Sequence, residues 1–159
     1  VLSGIVRAMK EQDDEFLALA LKEAEAAAAR GEVPIGAVLV SVTGAVLARD
    51  GNRIVEFHDP TAHAEMLVLR ASAAALGNER LIGTALYVTL EPCAMCAGAI
   101  SLARVGRVVY AASDPKGGAI EHGPKFFEQP TCHHRPVVER AGDPLAPGQL
   151  LKDFFRARR

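Results

Sequence analysis

The sequence predicts an α/β fold: a three-layer α/β/α sandwich around a mixed sheet of roughly five strands. Three observations lead there. Helical and strand-like patterns alternate along the chain, which implies packed layers joined by right-handed crossovers. Short apolar runs such as Ala37-Val38-Leu39-Val40 and Ala85-Leu86-Tyr87-Val88-Thr89 read as buried strands. The length, 159 residues, suits one domain with a single core.

The elements follow in order. Residues 1–12 read as a frayed, flexible N-terminal tail, and residues 13–159 as a single domain. Asp13 and Asp14 are expected to open a helix running to Arg30, with Leu17, Leu21, Ala24 and Ala28 on one face and Gly31 as its stop. After Pro34 and Gly36 comes the strand 37–40. Thr43-Gly44 turns the chain into a second strand, 45–48. A loop covers Asp50 to Pro60. Thr61 is expected to cap a helix that carries His63 and Glu65 and ends near Gly77-Asn78. The strand 85–89 leads to Pro92, placed at the start of a helix reaching about Ala103. Val105 to Ala111 is a further strand. Residues 112–136, rich in Gly, Pro and His, read as a long loop with a helical piece around Lys125-Phe126-Phe127. Val137 and Val138 form an edge strand, and Gln149 to Arg159 a final amphipathic helix.

Composition narrows the function. Half of the residues are hydrophobic and 23% are charged, which excludes a disordered chain. No apolar run reaches membrane-spanning length. The N-terminal stretch shows no secretory h-region, and the chain begins at Val1 rather than a methionine, which leaves its native start open. Three cysteines make no disulfide framework and fit a reducing cytoplasm. The formal net charge is −1, so any RNA contact must come from a local patch.

The informative feature is His63-Ala64-Glu65 followed by Pro92-Cys93-Ala94-Met95-Cys96. A histidine and two cysteines fill three of zinc's four tetrahedral positions, leaving one for water. Closed structural sites use four protein ligands, whereas open ones perform chemistry. A thioredoxin-like redox pair explains neither His63 nor Glu65. A structural zinc knuckle needs a second ligand pair, which Cys132 does not supply. Cys132-His133-His134 looks metal-like, but adjacent residues lack a fourth partner, so Cys132 reads as a passive thiol. His58, His122, His133 and His134 read as loop histidines. Cys93 and Cys96, three apart, share a helix face. His63 and Glu65, two apart, converge only if the metal lies off a helix N-terminus, so both motif helices are expected to aim their N-termini at it. Their partial positive charge lowers thiolate pKa values. Glu65 is then placed to shuttle a proton in the hydrolysis of an amine on a heteroaromatic ring. The signature H-x-E…P-C-x-x-C belongs to zinc-dependent nucleobase deaminases.

From about Glu15 to Arg159 the chain resembles the bacterial tRNA-specific adenosine deaminases of the cytidine deaminase superfamily. The resemblance rests on residues 32–38 (Glu32-Val33-Pro34-Ile35-Gly36-Ala37-Val38), on Asn52-Arg53, on residues 59–65, on residues 86–100 and on the end, 153–159. It implies a cytidine deaminase-like fold, a cytoplasmic homodimer, and conversion of adenosine to inosine at the wobble position of a tRNA anticodon stem-loop. It implies one zinc per chain, held by His63, Cys93 and Cys96, with Glu65 as the catalytic proton shuttle. It makes Asn52 the base-reading residue, places Val33 and Ala64 along the pocket, and sets Asp114 and Lys116 against flanking RNA. In the last helix, Phe155 and the cations Lys152, Arg156, Arg158 and Arg159 suit base stacking and phosphate contact. The chain departs from the family at residues 142–148, where two prolines and two glycines predict a loop and a shortened final helix. Two other readings remain open at this point. One is a free nucleobase or nucleoside deaminase of guanine or cytosine type, which has no use for the basic terminal helix. The other is a non-catalytic zinc module, which has no use for Glu65.

Overall fold

The computed structural model describes residues 2–159, and for residues 2, 3 and 5–8 the backbone alone. Val1 and the expectation attached to it lie outside the described residues. Helix α1 spans Leu2–Ala29, followed by strands β1 (Gly36–Val40) and β2 (Val46–Gly51). A short helix α2 (Ile54–Phe57) precedes α3 (Ala64–Leu76), β3 (Ala85–Leu90), α4 (Ala94–Leu102) and β4 (Arg107–Ala112). A 3-10 turn at Phe126–Glu128, strand β5 (Val137–Arg140) and helix α5 (Leu145–Arg156) complete the chain.

The five strands form one mixed sheet in the order β2-β1-β3-β4-β5. β1 is antiparallel to both β2 and β3, whereas β3, β4 and β5 run parallel. Side chains alternate across the central strands, as a period of two requires. Ala37, Leu39, Leu86, Val88, Val108 and Tyr110 face one core, shared with α3 and α4. Val38, Val40, Tyr87, Val109 and Ala111 face the other, against α1. α5 packs beside α1, on β4. This is the predicted three-layer sandwich.

α1 lies very close to the sheet. Its inner stripe is Leu17, Ala20, Ala24 and Ala27, all buried, so small side chains let the backbones approach. A Cβ at Gly36 would sit 1.9 Å from the Ala20 carbonyl oxygen. Glycine is therefore the residue that permits this contact.

Several boundaries differ from the sequence reading. α1 begins at Leu2, not Asp13, so the segment read as a frayed end is drawn into the helix. No proline interrupts it, and its Met, Lys, Glu and Gln residues are good helix formers. β2 continues to Gly51, and α2 occupies part of the expected loop 50–60. α2 starts where the buried Glu32 carboxylate accepts from the N–H groups of Val55 and Glu56. Thr61 is not a cap, because its hydroxyl and N–H both turn back to Asp59. The cap of α3 is His63. Pro92 precedes the cap of α4, which is Cys93. α5 starts at Leu145 rather than Gln149 and ends at Arg156. Pro147 is its third residue, where a helix has no use for the missing N–H. The 142–148 departure thus leaves the helix intact.

Asp13 is not an exposed helix opener but a buried anchor. Arg107 donates to both of its oxygens at 2.7 Å, and the Tyr87 hydroxyl donates to Oδ1 at 2.8 Å. Burial opposes ionisation, but the Arg107 fork and the Tyr87 hydroxyl outweigh it, so the carboxyl is held below its ordinary 3.8. A depressed folded pKa contributes stability that is fully present above the unfolded value and lost as pH falls through the folded one. Asp13→Asn should therefore lower stability at pH 7 by about 1.5–3 kcal/mol, the range of hydrogen bonds to charged groups. Its deficit should shrink as pH drops below the unfolded value. Urea unfolding of both proteins across that range measures the difference.

Candidate metal centre and active site

The site is built where β3 and β4 end. The strands run parallel with Leu90 opposite Ala112, and their C-terminal ends face the N-termini of α3 and α4. Ligand sites in such sheets form at these strand ends.

His63 and Cys93 are the cap residues of α3 and α4, both with extended backbone (φ −72°, ψ 150° and φ −74°, ψ 175°). The extended cap turns each side chain forward, off the helix end. His63 Nδ1 lies 3.7 Å from Cys93 Sγ and 3.6 Å from Cys96 Sγ. Tetrahedral zinc with ordinary Zn–N and Zn–S bonds would set nitrogen and sulfur about 3.6 Å apart. Among the described residues, this is the one group of three His, Cys, Asp or Glu side chains able to share an ion. The donor set fits zinc in kind and in spacing.

The three side chains also shift one another's protonation. The Cys96 thiol and, against burial, His63 bring the Cys93 thiol down to about 4. Cys96 is pushed the other way by its contact with Cys93, by burial and by the Glu65 carboxylate. Cys93 in turn raises His63. A divalent cation bound between them would favour both sulfurs as thiolates.

Neither cap side chain bonds to its own helix. Another residue does so for α3: Asn52, buried, accepts the Ala64 N–H on Oδ1 at 2.8 Å. That N–H can only donate, which fixes the amide orientation and leaves Nδ2 as a donor. Glu65 follows on the first turn of α3, 4% exposed. Its Oε1 is buried with no partner, a property it shares only with Ser72 Oγ among the described residues. Burial raises its carboxyl, with Cys93 adding to the effect. An orphaned carboxylate oxygen is costly where it stands, and it points to a group that binds there.

The other expected residues fall in two places. Ala64 is buried at the head of α3, and Val33 is half-buried in the α1–β1 loop. That loop is bonded to the site through Arg30, which donates to the Asn52 carbonyl. Asp114, half-buried, and Lys116, exposed, sit on the loop after β4, whose Ala119 N–H donates to the Pro92 carbonyl. At the end of α5, Phe155, Arg156 and Arg159 are exposed, as is Lys152. Arg158 is committed differently. Its guanidinium lies 3.4 Å above the Phe154 ring centroid and donates to the Phe154 carbonyl. It also lies beside Gly31, which brings the basic end of α5 to the loop that carries Val33.

Cys132 is buried and donates to the His134 carbonyl, as a passive thiol would. A cavity of about 520 Å³ between α1 and α5, lined by Lys10, Leu17, Thr89 and Pro147, contains none of the metal-site residues. Sequence reasoning missed Glu91. This carboxylate, 3% exposed, accepts from the backbone N–H groups of Asp114, Ile120, Glu121 and His122 and from His122 Nδ1. The available signal was an acidic residue directly after an apolar strand and before a proline.

Comparison with known proteins agrees with this geometry. Residues 10–112 match the cytidine and deoxycytidylate deaminase zinc-binding region. The tRNA-specific adenosine deaminase of Agrobacterium fabrum is 57% identical over 144 residues, covering 91% of this chain and 94% of that protein. A solved structure from a study of A-to-I editing by tRNA:A34 deaminases at the wobble position superposes with a TM-score of 0.84 at 57% identity. It covers 86% of this chain and 99% of its own. Guanine deaminase from Bacillus subtilis is more distant, with a TM-score of 0.61 and 32% identity over 87% of this chain and 92% of its own.

The donor set makes one expectation specific. Purified protein should hold one zinc per chain by elemental analysis, and Cys96→Ala should lose most of it. Each zinc taken up by metal-free protein should release protons from the thiols, which a pH indicator can follow.

Proposed function

The chain belongs to the tRNA-specific adenosine deaminases, within the cytidine and deoxycytidylate deaminase family, and on that premise we propose how its residues convert adenosine to inosine at the tRNA wobble position. The observation that carries the reading is the unpartnered, buried Glu65 oxygen beside three zinc-type donors.

His63, Cys93 and Cys96 would hold zinc, which when bound would supply the Lewis acidity that makes a water nucleophilic near neutral pH. Glu65 does the proton work. Its carboxylate takes the proton from the attacking water, and its raised basicity suits the task. It passes that proton to the ring nitrogen beside the reacting carbon, then takes the remaining proton of the added hydroxyl and delivers it to the amino group, so that the C–N bond breaks and ammonia leaves as the carbonyl forms. Asn52 Nδ2, left free to donate once Oδ1 is taken, holds an acceptor on the purine edge. Ala64 and Val33 form apolar walls.

The base must be unstacked to enter such a pocket. Binding energy from flanking nucleotides positions it. Asp114 and Lys116 meet the RNA on one side, and Phe155, Arg156 and Arg159 on the other, next to the Val33 loop. Lys152 lies further out on α5. Arg158, exposed as well, also holds the end of that helix on Phe154. Exposed Ile82, Leu102, Val55 and Phe57 are apolar surface that a homodimer would cover. No described helix is long and apolar enough to cross a membrane, and a tRNA substrate fits a cytoplasmic enzyme.

Glu65→Ala should retain zinc and fold, yet lose about 10² to 10⁴ in turnover, the usual worth of general acid–base catalysis. Near-parental deamination by the variant would remove Glu65 from the mechanism.

The substrate is tested by comparing kcat/KM on an anticodon stem-loop with a wobble adenosine against free adenosine, guanine and cytidine. The stem-loop should be strongly preferred. Removing Arg156 and Arg159 together, with Arg158 kept, should weaken stem-loop binding. The salt dependence should become shallower, by about 0.7 in log–log slope for each phosphate that is no longer neutralised. A preference for free guanine would instead assign the site to base salvage.

A further inference from the structure

Glu91 takes no part in the chemistry described above, yet it is among the most heavily bonded side chains near the site. It stands at the end of β3, two residues before the ligand Cys93. Oε1 accepts from the Asp114 N–H at 3.0 Å and from His122 Nδ1 at 2.9 Å. Oε2 accepts from Ile120, Glu121 and His122 at 3.0–3.2 Å. The carboxylate therefore grips both ends of one loop. The middle of that loop closes on itself, with Asp114 Oδ1 accepting from the N–H groups of Lys116 and Gly117. The Pro92 carbonyl takes the Ala119 N–H, and the Glu91 N–H donates to the Ala112 carbonyl. Gly118 is shaped for this arrangement. A Cβ there would lie 2.3 Å from Glu91 Oε2 and 2.5 Å from the Asp114 carbonyl oxygen.

Packing holds this loop only at Ala119, which is buried, and Ile120, which lies against the core; residues 115–117 and Glu121 are exposed. Its backbone donors converge on one buried anion, and few other partners are available to them. The anion is itself rigid, because it belongs to the strand-to-helix turn that presents Cys93. We propose that Glu91 is a positioning residue for the RNA substrate: it ties the 114–122 loop to the metal-ligand turn, so that the Asp114–Lys116 rim stands at a fixed place relative to the metal centre. This rests on the reading of that rim as an RNA contact.

Glu91→Gln tests it, because the side chain keeps its shape. One amide oxygen can still serve the 120–122 arm, whereas the amide nitrogen then faces the Asp114 N–H as a second donor. Gly118→Ala disturbs the same anchor from the loop side, by crowding the Glu91 carboxylate while leaving that residue unsubstituted. Two quantities are measured on zinc-loaded protein: hydrogen exchange of the loop amides, and stem-loop kinetics. In both variants the loop amides should exchange faster at unchanged zinc content. KM for the stem-loop should rise about tenfold, the scale of one charge-assisted hydrogen bond, with the loss in KM exceeding any loss in kcat. Unchanged exchange, a loss confined to kcat, or loss of zinc in both variants would overturn the anchoring role. Faster exchange with an unaltered KM would leave the loop anchored by Glu91 but overturn the RNA contact of Asp114 and Lys116.

Discussion

Two helix N-termini meet at one point in this protein, and most of the unusual features nearby follow from that meeting. α3 begins at His63 and α4 at Cys93, and their cap side chains are 3.7 Å apart. Each N-terminus carries roughly half a positive charge, so two of them repel. Thiolates from Cys93 and Cys96 offset that charge, and a cation between them becomes tolerable only because the sulfurs are anionic. The helix ends thus promote thiolate formation, and the thiolates in turn make the convergence of the ends possible. A cap residue used as a metal ligand cannot bond its own helix. Asn52, from the β2–α2 connection, supplies an acceptor for the Ala64 N–H instead. That placement ties the amide expected to hold the base to the helix that carries Glu65.

Buried carboxylates show the same economy of partners. Asp13 has Arg107 and Tyr87, Glu32 has the N-terminus of α2, and Glu91 has the 114–122 loop. Each is nearly inaccessible and each is satisfied. Glu65 is as deeply buried and is the exception, with one oxygen lacking any protein partner. An unpaired carboxylate in a core is far costlier than the unpaired Ser72 hydroxyl two turns further along α3. The fold accommodates that cost beside the metal-type donors, where the proposed mechanism needs a proton acceptor. Accounting for hydrogen bonds therefore separates the proposed catalytic carboxylate, Glu65, from the satisfied ones without reference to sequence motifs.

The convergence of His63, Cys93 and Cys96 was legible in the sequence because the ligand spacing is short and each residue type has one good use at that spacing, and the same motif pointed to Glu65. The central strands were legible because their apolar runs are too continuous for a surface. Boundaries were harder where a local rule had two solutions. Thr61 and His63 both precede α3, and the choice of cap depended on Asp59 competing for the Thr61 hydroxyl. Pro147 looked like a breaker, but a proline in the first turn removes only a donor that has no acceptor. The role of Glu91 was not legible, since its partners lie 23 to 31 residues away on a loop without periodicity. Asp13 was misread for the same reason: its partner Arg107 is 94 residues distant.

The remaining constraint concerns how a chain with a formal charge of −1 engages a polyanion. It has no general attraction to RNA, so position must substitute for charge. Arg158, stacked on Phe154, lies beside Gly31 and so sets the end of α5 next to the α1–β1 loop. Arg30 in that loop bonds the carbonyl of Asn52, whose amide caps α3. The basic end of the chain is in this way connected through a few contacts to the first turn that bears Glu65. Long-range steering by net charge would be lost at physiological salt, where screening acts over about 8 Å. On the proposed RNA contacts, cations at the pocket rim would act at short range, which favours selection by fit over capture by charge.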